Sequence, residues 1–178
     1  MKIHGTHLFR SHFFKVEVGL YVGYSSTRMA SQMRRWGGRV ISMEVDPYHA
    51  AIARNTIEWA GLSDYIEIWC GHSENLIPRL KERLPEKSID ILFFDQQGTK
   101  MHLDLQRIVD FNMLSENAIV VGDNVLRPGA PQFMYWNTVV GPYETQVVSL
   151  REYKQARKPR SQAFYILLWY LLLDGIVI

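Results

Sequence analysis

The chain has 178 residues, of which 47% are hydrophobic and 21% charged, and its formal net charge is +2. This length suits one domain with one sizeable core and requires no second domain. A net charge this small is not the basic excess of a nucleic-acid-binding protein, so we expect a small-molecule partner and no nucleic acid. The single cysteine, Cys70, cannot form an internal disulfide, which is typical of a reducing, cytoplasmic compartment.

A short N-terminal extension, 1–15, precedes the first predicted strand. It contains no apolar run long enough for a signal peptide or a membrane-spanning helix, so export by that route is not expected. Its histidines, His4, His7 and His12, have no Cys, Asp or Glu among them. Metal binding is therefore the less favoured interpretation of this segment.

The stretch Val16–Ser25, VEVGLYVGYS, predicts an apolar strand that contains Glu17 and ends in a glycine loop. Gly19 and Gly23 allow the backbone to turn sharply and to approach a bound molecule, and Ser25 can cap the helix that follows. A Gly-x-x-x-Gly pattern after a strand occurs in many nucleotide-binding folds and also in plain tight turns. The loop is a candidate ligand site whose interpretation depends on the later strands.

Helices and strands then alternate along the chain. The predicted helices cover Ser26–Trp36, Pro47–Ala60, Leu76–Leu84 and Met101–Met113, and the predicted strands cover Arg39–Glu44, Ile66–Cys70, Ile89–Phe94 and Ala118–Val121. This alternation predicts a mostly parallel sheet with right-handed crossovers and helices on both faces. We therefore predict one α/β domain, 1–178, with a doubly wound, Rossmann-like sheet.

Polar residues follow the second and third strands, at the end where open α/β sheets bind ligands. Glu44 closes the second strand, where an acid can accept both hydroxyl protons of a ribose; the alternative is an exposed carboxylate without a ligand. Ser73 and Glu74 follow the third strand and are candidate ligand contacts. His72 in the same turn could act as a base, although a solvated turn histidine is the commoner case.

Asp95 and Asp123 end two successive strands, and neighbouring strand ends in a parallel sheet lie about 5 Å apart. With Asn124 they form a predicted cluster of oxygen ligands. Two carboxylates so close repel each other unless one takes up a proton or a cation lies between them. Oxygen ligands without His or Cys favour Mg²⁺. The alternative is that Asp95 is a helix cap and Asp123-Asn124 a turn.

Five stretches together resemble the catechol O-methyltransferase family of Mg²⁺-dependent, class I enzymes that use S-adenosylmethionine. They are VEVGLYVGYS, ISMEVDP, GHSENLIPRL, ILFFDQQ and VVGDNVLRPGAPQF, and the match runs from about Val16 to Tyr153. The resemblance implies transfer of a methyl group from S-adenosylmethionine to a catechol hydroxyl with the help of Mg²⁺. An NAD-dependent oxidoreductase is disfavoured because the sequence lacks the full Gly-x-Gly-x-x-Gly pattern.

The resemblance also implies roles for single residues. Glu44 would hold the ribose, and the other residues that contact the donor would be Glu17, Gly19, Tyr21, Ser25, Ser73, Glu74, Asp95 and Gln97. Mg²⁺ would be bound by Asp95, Asp123 and Asn124 and would chelate both catechol oxygens. The catalytic residues would be Lys100 and Glu152, and Asn124, Pro128 and Glu152 would contact the substrate.

Four departures from the family leave a second interpretation open. The family's catalytic lysine, three residues after the first metal aspartate, is Gly98 here, and the nearest lysine is Lys100. The family's aromatic residue that packs on the adenine is Gln97 here, and only the extension 1–15 precedes the first strand, where the family has several helices. The alternative is a catalytically impaired member that acts as a binding or scaffold protein.

The C-terminal part, 151–178, is the fourth departure. A basic stretch, Arg151–Arg160, leads to the apolar run Ala163–Leu173, which is too short to span a bilayer. Three interpretations stay open: a substituted edge strand, a tail that contacts a membrane surface or a partner, and an altered terminus from a divergent transcript. Association with a membrane is thus an alternative to a purely cytoplasmic location.

Overall fold

The computed structural model describes residues 13–141, 143–151 and 163–171, which form one seven-stranded sheet with flanking helices. The strands are β1 Phe14–Val18, β2 Arg39–Glu44, β3 Ile66–Cys70, β4 Ile89–Phe94, β5 Leu114–Gly122, β6 Tyr143–Arg151 and β7 Ala163–Leu171. Their order is β3-β2-β1-β4-β5-β7-β6, and β1 to β5 are all parallel. The predicted mostly parallel, doubly wound α/β sheet is confirmed.

Helices connect the parallel strands. They are α1 Tyr24–Met33, α2 Pro47–Trp59, α3 Ser73–Arg83 and α4 Gly98–Asp110, and a short helix, α5 Pro131–Tyr135, follows β5 between the helical turns Val125–Gly129 and Trp136–Val140. The chain moves from β1 to β3 in one direction along the sheet and then returns to β4 and β5. With right-handed crossovers, α1 and α2 therefore cover one face of the sheet, and α3 and α4 cover the other.

The hydrophobic core has one layer on each face of the sheet. Apolar residues at helical spacing, Leu76, Ile77 and Leu80 of α3 and Met101, Leu105 and Ile108 of α4, pack in one layer. Ala30, Met33, Ala53 and Ile57 of α1 and α2 pack in the other. Because this packing holds each helix against the sheet, the first residues of the helices lie beside the carboxyl ends of the strands.

Several predicted boundaries are wrong by a few residues. The cap of α1 is Gly23, which has a φ of 87°, and Ser25 lies inside the first turn, so the predicted Ser25 cap is incorrect. Helix α3 begins at Ser73 and not at Leu76, and α4 begins at Gly98 and not at Met101. Polar first turns explain both errors, because the apolar periodicity used for the prediction begins only where the helix contacts the core.

The C-terminal apolar run is a strand. Within it, β7 pairs antiparallel with β5 through Ile119↔Tyr170 and on its other side with β6. Of the three open interpretations the strand is therefore correct for 163–171, but the edge of the sheet is β6, which was not predicted. A contact with a membrane surface finds no support, and in the described part of the chain no helix is both long and apolar enough to cross a membrane.

Candidate active site

A cavity of about 560 Å³ lies at the carboxyl ends of the parallel strands. Its lining includes six of the residues predicted to contact a donor, Gly19, Tyr21, Glu44, Ser73, Asp95 and Gln97. A second cavity of similar volume lies at the opposite end of the strands, between Phe14, Arg39, Tyr65 and Arg83. That second cavity contains none of the predicted site residues, so the first is the candidate active site.

The loop after β1 passes very close to the end of β4. Gly19 has a φ of 104°, and a Cβ at this position would lie 2.3 Å from the carbonyl oxygen of Asp95. The amides of Gly19 and Leu20 donate to the carbonyl of Met43 at 3.0 and 3.1 Å, which ties the loop to β2 as well. Only glycine fits here, because any side chain would overlap the backbone of Asp95.

Glu44 is held rigidly at the end of β2. It is 8% exposed, and its Oε2 accepts from the amide of Tyr21 at 2.7 Å while its Oε1 accepts from the amide of Asp46 at 2.9 Å. The Tyr21 ring packs edge-on against His49, with ring centroids 4.6 Å apart. Each carboxylate oxygen can accept a further hydrogen bond, so Glu44 can bind two neighbouring hydroxyl groups at the cavity wall.

Glu17 lies within β1 and is fully buried. Its Oε2 accepts hydrogen bonds from the hydroxyls of Ser26 and Ser42, and its Oε1 is buried without a hydrogen-bond partner among the described residues. Burial raises the pKa of this carboxyl, and hydrogen bonds from neighbouring serines oppose the increase. Neither Glu17 nor the half-buried Ser25 is part of the cavity lining, so their predicted contacts with the donor stay predictions.

The register of β4 and β5 brings the predicted metal ligands together. Phe94 pairs with Gly122, so Asp95 and Asp123 are the next residues on two adjacent strands. The Asp123 amide donates to the Phe94 carbonyl at 2.8 Å. Asn124, which has a φ of 59°, donates from Nδ2 to Asp95 Oδ1 at 3.3 Å and from its amide to Asp123 Oδ1 at 2.6 Å. Two carboxylates and one amide thus converge beside the cavity.

The negative charge of Asp123 disfavours ionisation of Asp95. Burial, the negative charge of Asp123 and that of Glu17 together raise the pKa of Asp95 to about 7, and burial raises the pKa of Asp123. A divalent cation would remove this repulsion. No group of three or more His, Cys, Asp or Glu side chains suited to a metal occurs in the described part of the chain. The candidate donor set is therefore the two carboxylates with the Asn124 amide.

Comparisons with known proteins identify the family. Residues 16–125 match the family described as a methyltransferase domain. Catechol O-methyltransferase of Sus scrofa is 32% identical over 151 residues, which cover 84% of this chain and 81% of that protein.

The chain belongs to the catechol O-methyltransferase family. Catechol O-methyltransferase of Mus musculus is also 32% identical over 151 residues, but the match covers only 57% of that protein. The chain spans about half the length of several curated relatives that it matches. The O-methyltransferase of Bacillus cereus, solved in complex with SAH, superposes with a TM-score of 0.72 at 22% identity and covers 87% of this chain and 73% of its own. This likeness shows that the fold is shared.

The lysine expected in a catechol O-methyltransferase has no space at position 98. A Cβ on Gly98 would lie 2.2 Å from the Gly129 carbonyl oxygen and 2.8 Å from the Ala130 Cβ. The start of α4 is therefore packed directly against the loop that follows Asn124. Lys100, two residues later, lines the cavity and lies with its Nζ 3.9 Å from Glu74 Oε2. Among the described carboxylates, only Glu74 is within ion-pair distance of Lys100.

The remaining predicted family residues lie at or beyond the rim of the site. Gln97 is exposed, lines the cavity and occupies the N-cap position of α4 without a capping hydrogen bond from its side chain, while Pro128 is exposed in the turn after Asn124. Glu74 is on the first turn of α3 and does not line the cavity. Glu152 is outside the described residues, so its predicted contact with the substrate stays a prediction.

Sequence reasoning missed one polar residue behind the cavity wall. Asp104 is 1% exposed and accepts hydrogen bonds from Ser73 and Gln96. The sequence contains a signal for it, because Asp104 falls on the same face of α4 as the buried residues Met101 and Ile108. A carboxylate on the apolar face of a helix requires polar partners from elsewhere in the fold.

Proposed function

We propose that this chain transfers a methyl group from S-adenosylmethionine to a hydroxyl of a catechol, with Mg²⁺ bound at the site. The observation that carries the proposal is the convergence of Asp95, Asp123 and Asn124 beside a cavity lined by Gly19 and Glu44. Membership of the catechol O-methyltransferase family supports the same reaction. No observation favours the alternative of an impaired scaffold protein over this reaction.

The residues around the cavity fit the methyl donor. Glu44 would accept both ribose hydroxyl protons, because the amides of Tyr21 and Asp46 hold its two oxygens in place. Gly19 would lie along the donor at the cavity wall, and Ser73 and Gln97 would lie at the purine end of the donor. Such a donor supplies an activated methyl group.

The donor set of Asp95, Asp123 and Asn124 fits Mg²⁺, which prefers oxygen ligands. Bound Mg²⁺ would supply a Lewis acid that lowers the pKa of a catechol hydroxyl. The two carboxylates would balance the charge of the ion, and the backbone hydrogen bond from Asp123 to Phe94 keeps the two strand ends in register. A catechol oxygen held there would lie next to the donor cavity, and this positioning would lower the barrier.

Calorimetric titration with S-adenosylmethionine, with and without Mg²⁺, tests the donor site. We expect binding in both conditions, because Gly19 and Glu44 do not depend on the metal. A chromatographic assay with a simple catechol should then detect methylation that EDTA abolishes. Absence of donor binding in both conditions would leave only the scaffold alternative, and turnover that survives the chelator would refute the role of the metal.

Substitution of Lys100 tests the proposed base. Its Nζ lies 3.9 Å from Glu74 Oε2, so the side chain must leave this carboxylate and release its own proton to solvent before it can accept a catechol proton. We expect Lys100→Ala to lower kcat at saturating donor roughly a hundredfold and to change the pH profile between about pH 6 and pH 9. Lys81→Ala, on the exposed side of α3, is the matched control and should keep the wild-type rate. Full activity of Lys100→Ala across this range would exclude Lys100 from the proton transfer.

A further inference from the structure

The turn that follows the proposed metal ligands exposes three residues to solvent. This turn, Val125–Gly129, is closed by a hydrogen bond from the Gly129 amide to the Asn124 carbonyl at 3.1 Å and by one from the Ala130 amide to the Val125 carbonyl at 2.8 Å. Val125 and Ala130 are both buried, so the two ends of the turn are anchored in the core. The exposed residues at its tip are Leu126, Arg127 and Pro128.

Arg127 is the only charged residue between positions 125 and 140, so α5 and the helical turns beside it are otherwise neutral. Within the described residues, no carboxylate forms an ion pair with Arg127. A guanidinium group keeps its charge at every physiological pH, and its N–H groups match the two oxygens of a carboxylate. Arg127 can therefore bind an anionic group that comes close to the turn.

The strand order places this turn at the acceptor end of the candidate active site. The donor cavity lies at the ends of β2, β1 and β4, whereas the turn continues from β5 and contacts β7, on the side away from that cavity. This step rests on the proposed function: a catechol oxygen held at the metal ligands would face the donor, and the ring would extend towards the turn. Arg127 follows Asn124 by three residues, which span at most about 11 Å. A ring substituent and the long arginine side chain can together bridge this distance.

We propose that Arg127 makes the acceptor site selective for catechols that carry a carboxylate over catechols that carry an ammonium group. The proposed Mg²⁺ would balance the charges of Asp95 and Asp123, and Arg127 would then be the remaining charge on the elements from the metal ligands to position 140. A carboxylate on the ring would accept hydrogen bonds from the guanidinium, whereas an ammonium group would be repelled. Because the substituent does not react, this contact should change KM more than kcat.

Steady-state kinetics with three catechols of similar size test this selectivity. Their ring substituents are carboxymethyl, ethyl and aminoethyl groups, which are anionic, neutral and cationic. At low ionic strength we expect the wild-type protein to prefer the carboxymethyl catechol to the aminoethyl catechol by about fivefold or more in kcat/KM, mainly through KM. Added salt should reduce this preference, because Arg127 is exposed and salt screens its charge.

Substitutions of Arg127 test whether this residue causes the preference. Arg127→Met should bring the ratio of the two kcat/KM values close to one, and Arg127→Glu should invert it. Calorimetric titration of the carboxymethyl catechol into protein saturated with S-adenosylhomocysteine and Mg²⁺ measures affinity without turnover, and Arg127→Glu should weaken this binding about fivefold or more. Arg54→Met and Arg54→Glu, at an exposed position of α2, are the matched controls and should keep the wild-type ratio.

The outcomes separate this inference from the proposed function. Methylation of none of the three catechols overturns the proposed function, and the selectivity with it. Equal kcat/KM values of the wild-type protein for all three overturn the selectivity and leave the reaction in place. A wild-type ratio in both Arg127 variants, each folded by circular dichroism, overturns the role of Arg127. Equal changes in the Arg54 variants also overturn it, because the net charge of the protein would then cause the preference.

Discussion

Asp123→Asn is expected to lower kcat/KM for catechol methylation by at least about a hundredfold, because Lewis-acid catalysis by a bound metal contributes several kcal/mol. The substitution keeps the shape of the side chain and removes one of the two charges that face the proposed ion. Affinity for S-adenosylhomocysteine should stay within about threefold of wild type, since Asp123 does not line the donor cavity. Steady-state kinetics and calorimetry of the same protein measure both effects.

The same substitution should stabilise the metal-free protein, with a defined pH dependence. The pKa of Asp95 is raised to about 7 from an ordinary value of 3.8, partly by the charge of Asp123. Because the folded-state pKa of this carboxyl is above its ordinary pKa, the free energy of unfolding decreases as the pH rises from 3.8 to about 7. Above about pH 7 the full loss of stability is present. We expect Asp123→Asn to add about 1 kcal/mol at pH 8, a small gain because Asp95 is only partly buried and water screens its repulsion by Asp123. At pH 4 the gain should be close to zero, because Asp95 is then protonated in the folded protein.

Thermal unfolding with and without Mg²⁺ measures this effect. Added Mg²⁺ should raise the Tm of the wild-type protein and leave that of Asp123→Asn unchanged. Glu116→Gln removes an exposed carboxylate from the other end of β5 and should retain the wild-type response. A full response to Mg²⁺ in Asp123→Asn would show that the ion binds elsewhere.

Gly19→Ala should strongly destabilise the fold. The new Cβ would lie 2.3 Å from the Asp95 carbonyl oxygen, and the φ of 104° is unfavourable for alanine in any case. Overpacking against backbone and an unfavourable φ each cost about 1–3 kcal/mol, so we expect a loss of about 3–5 kcal/mol in the free energy of unfolding. Urea denaturation monitored by circular dichroism measures the loss.

Gly37→Ala separates backbone strain from steric overlap. Gly37 has a φ of 68°, and a Cβ there would meet nothing within 4 Å, so this variant should lose only about 1–2 kcal/mol. In Gly19→Ala the loop and the end of β4 must also move apart, which should weaken S-adenosylhomocysteine binding under conditions where the protein is folded. Equal losses of stability in the two variants would contradict the close approach of Gly19 to Asp95.

The sequence predicted the positions of those site residues that directly follow a strand. Asp95 and Asp123 follow two successive apolar strands, and parallel pairing brings such residues to one edge, as the pairing of Phe94 with Gly122 does here. The position of Glu44 at the end of β2 follows from the same rule. The resemblance to a family then suggested the chemistry of these residues, which their spacing alone left open.

Contacts between distant segments could not be predicted in this way. Ser73 and Asp104 are 31 residues apart and meet only because α3 and α4 pack on the same face of the sheet. Gly98 looks like a simple loss of the family lysine until its contact with Gly129 is known. No local pattern encodes either contact, because each depends on how two separate elements pack.

The sequence by itself determined the alternation of helices and strands, the polar strand ends and the family, because these depend on local periodicity and on short motifs. Only the tertiary structure decided that the apolar run 163–171 lies between β5 and β6. It also decided that Lys100 pairs with Glu74 and that Asp104 accepts hydrogen bonds from Ser73 and Gln96. The physical reason is that strand order and side-chain pairing depend on packing between segments that are far apart in the sequence. An apolar or charged segment has many possible partners of similar energy, and only formation of the whole core selects one of them.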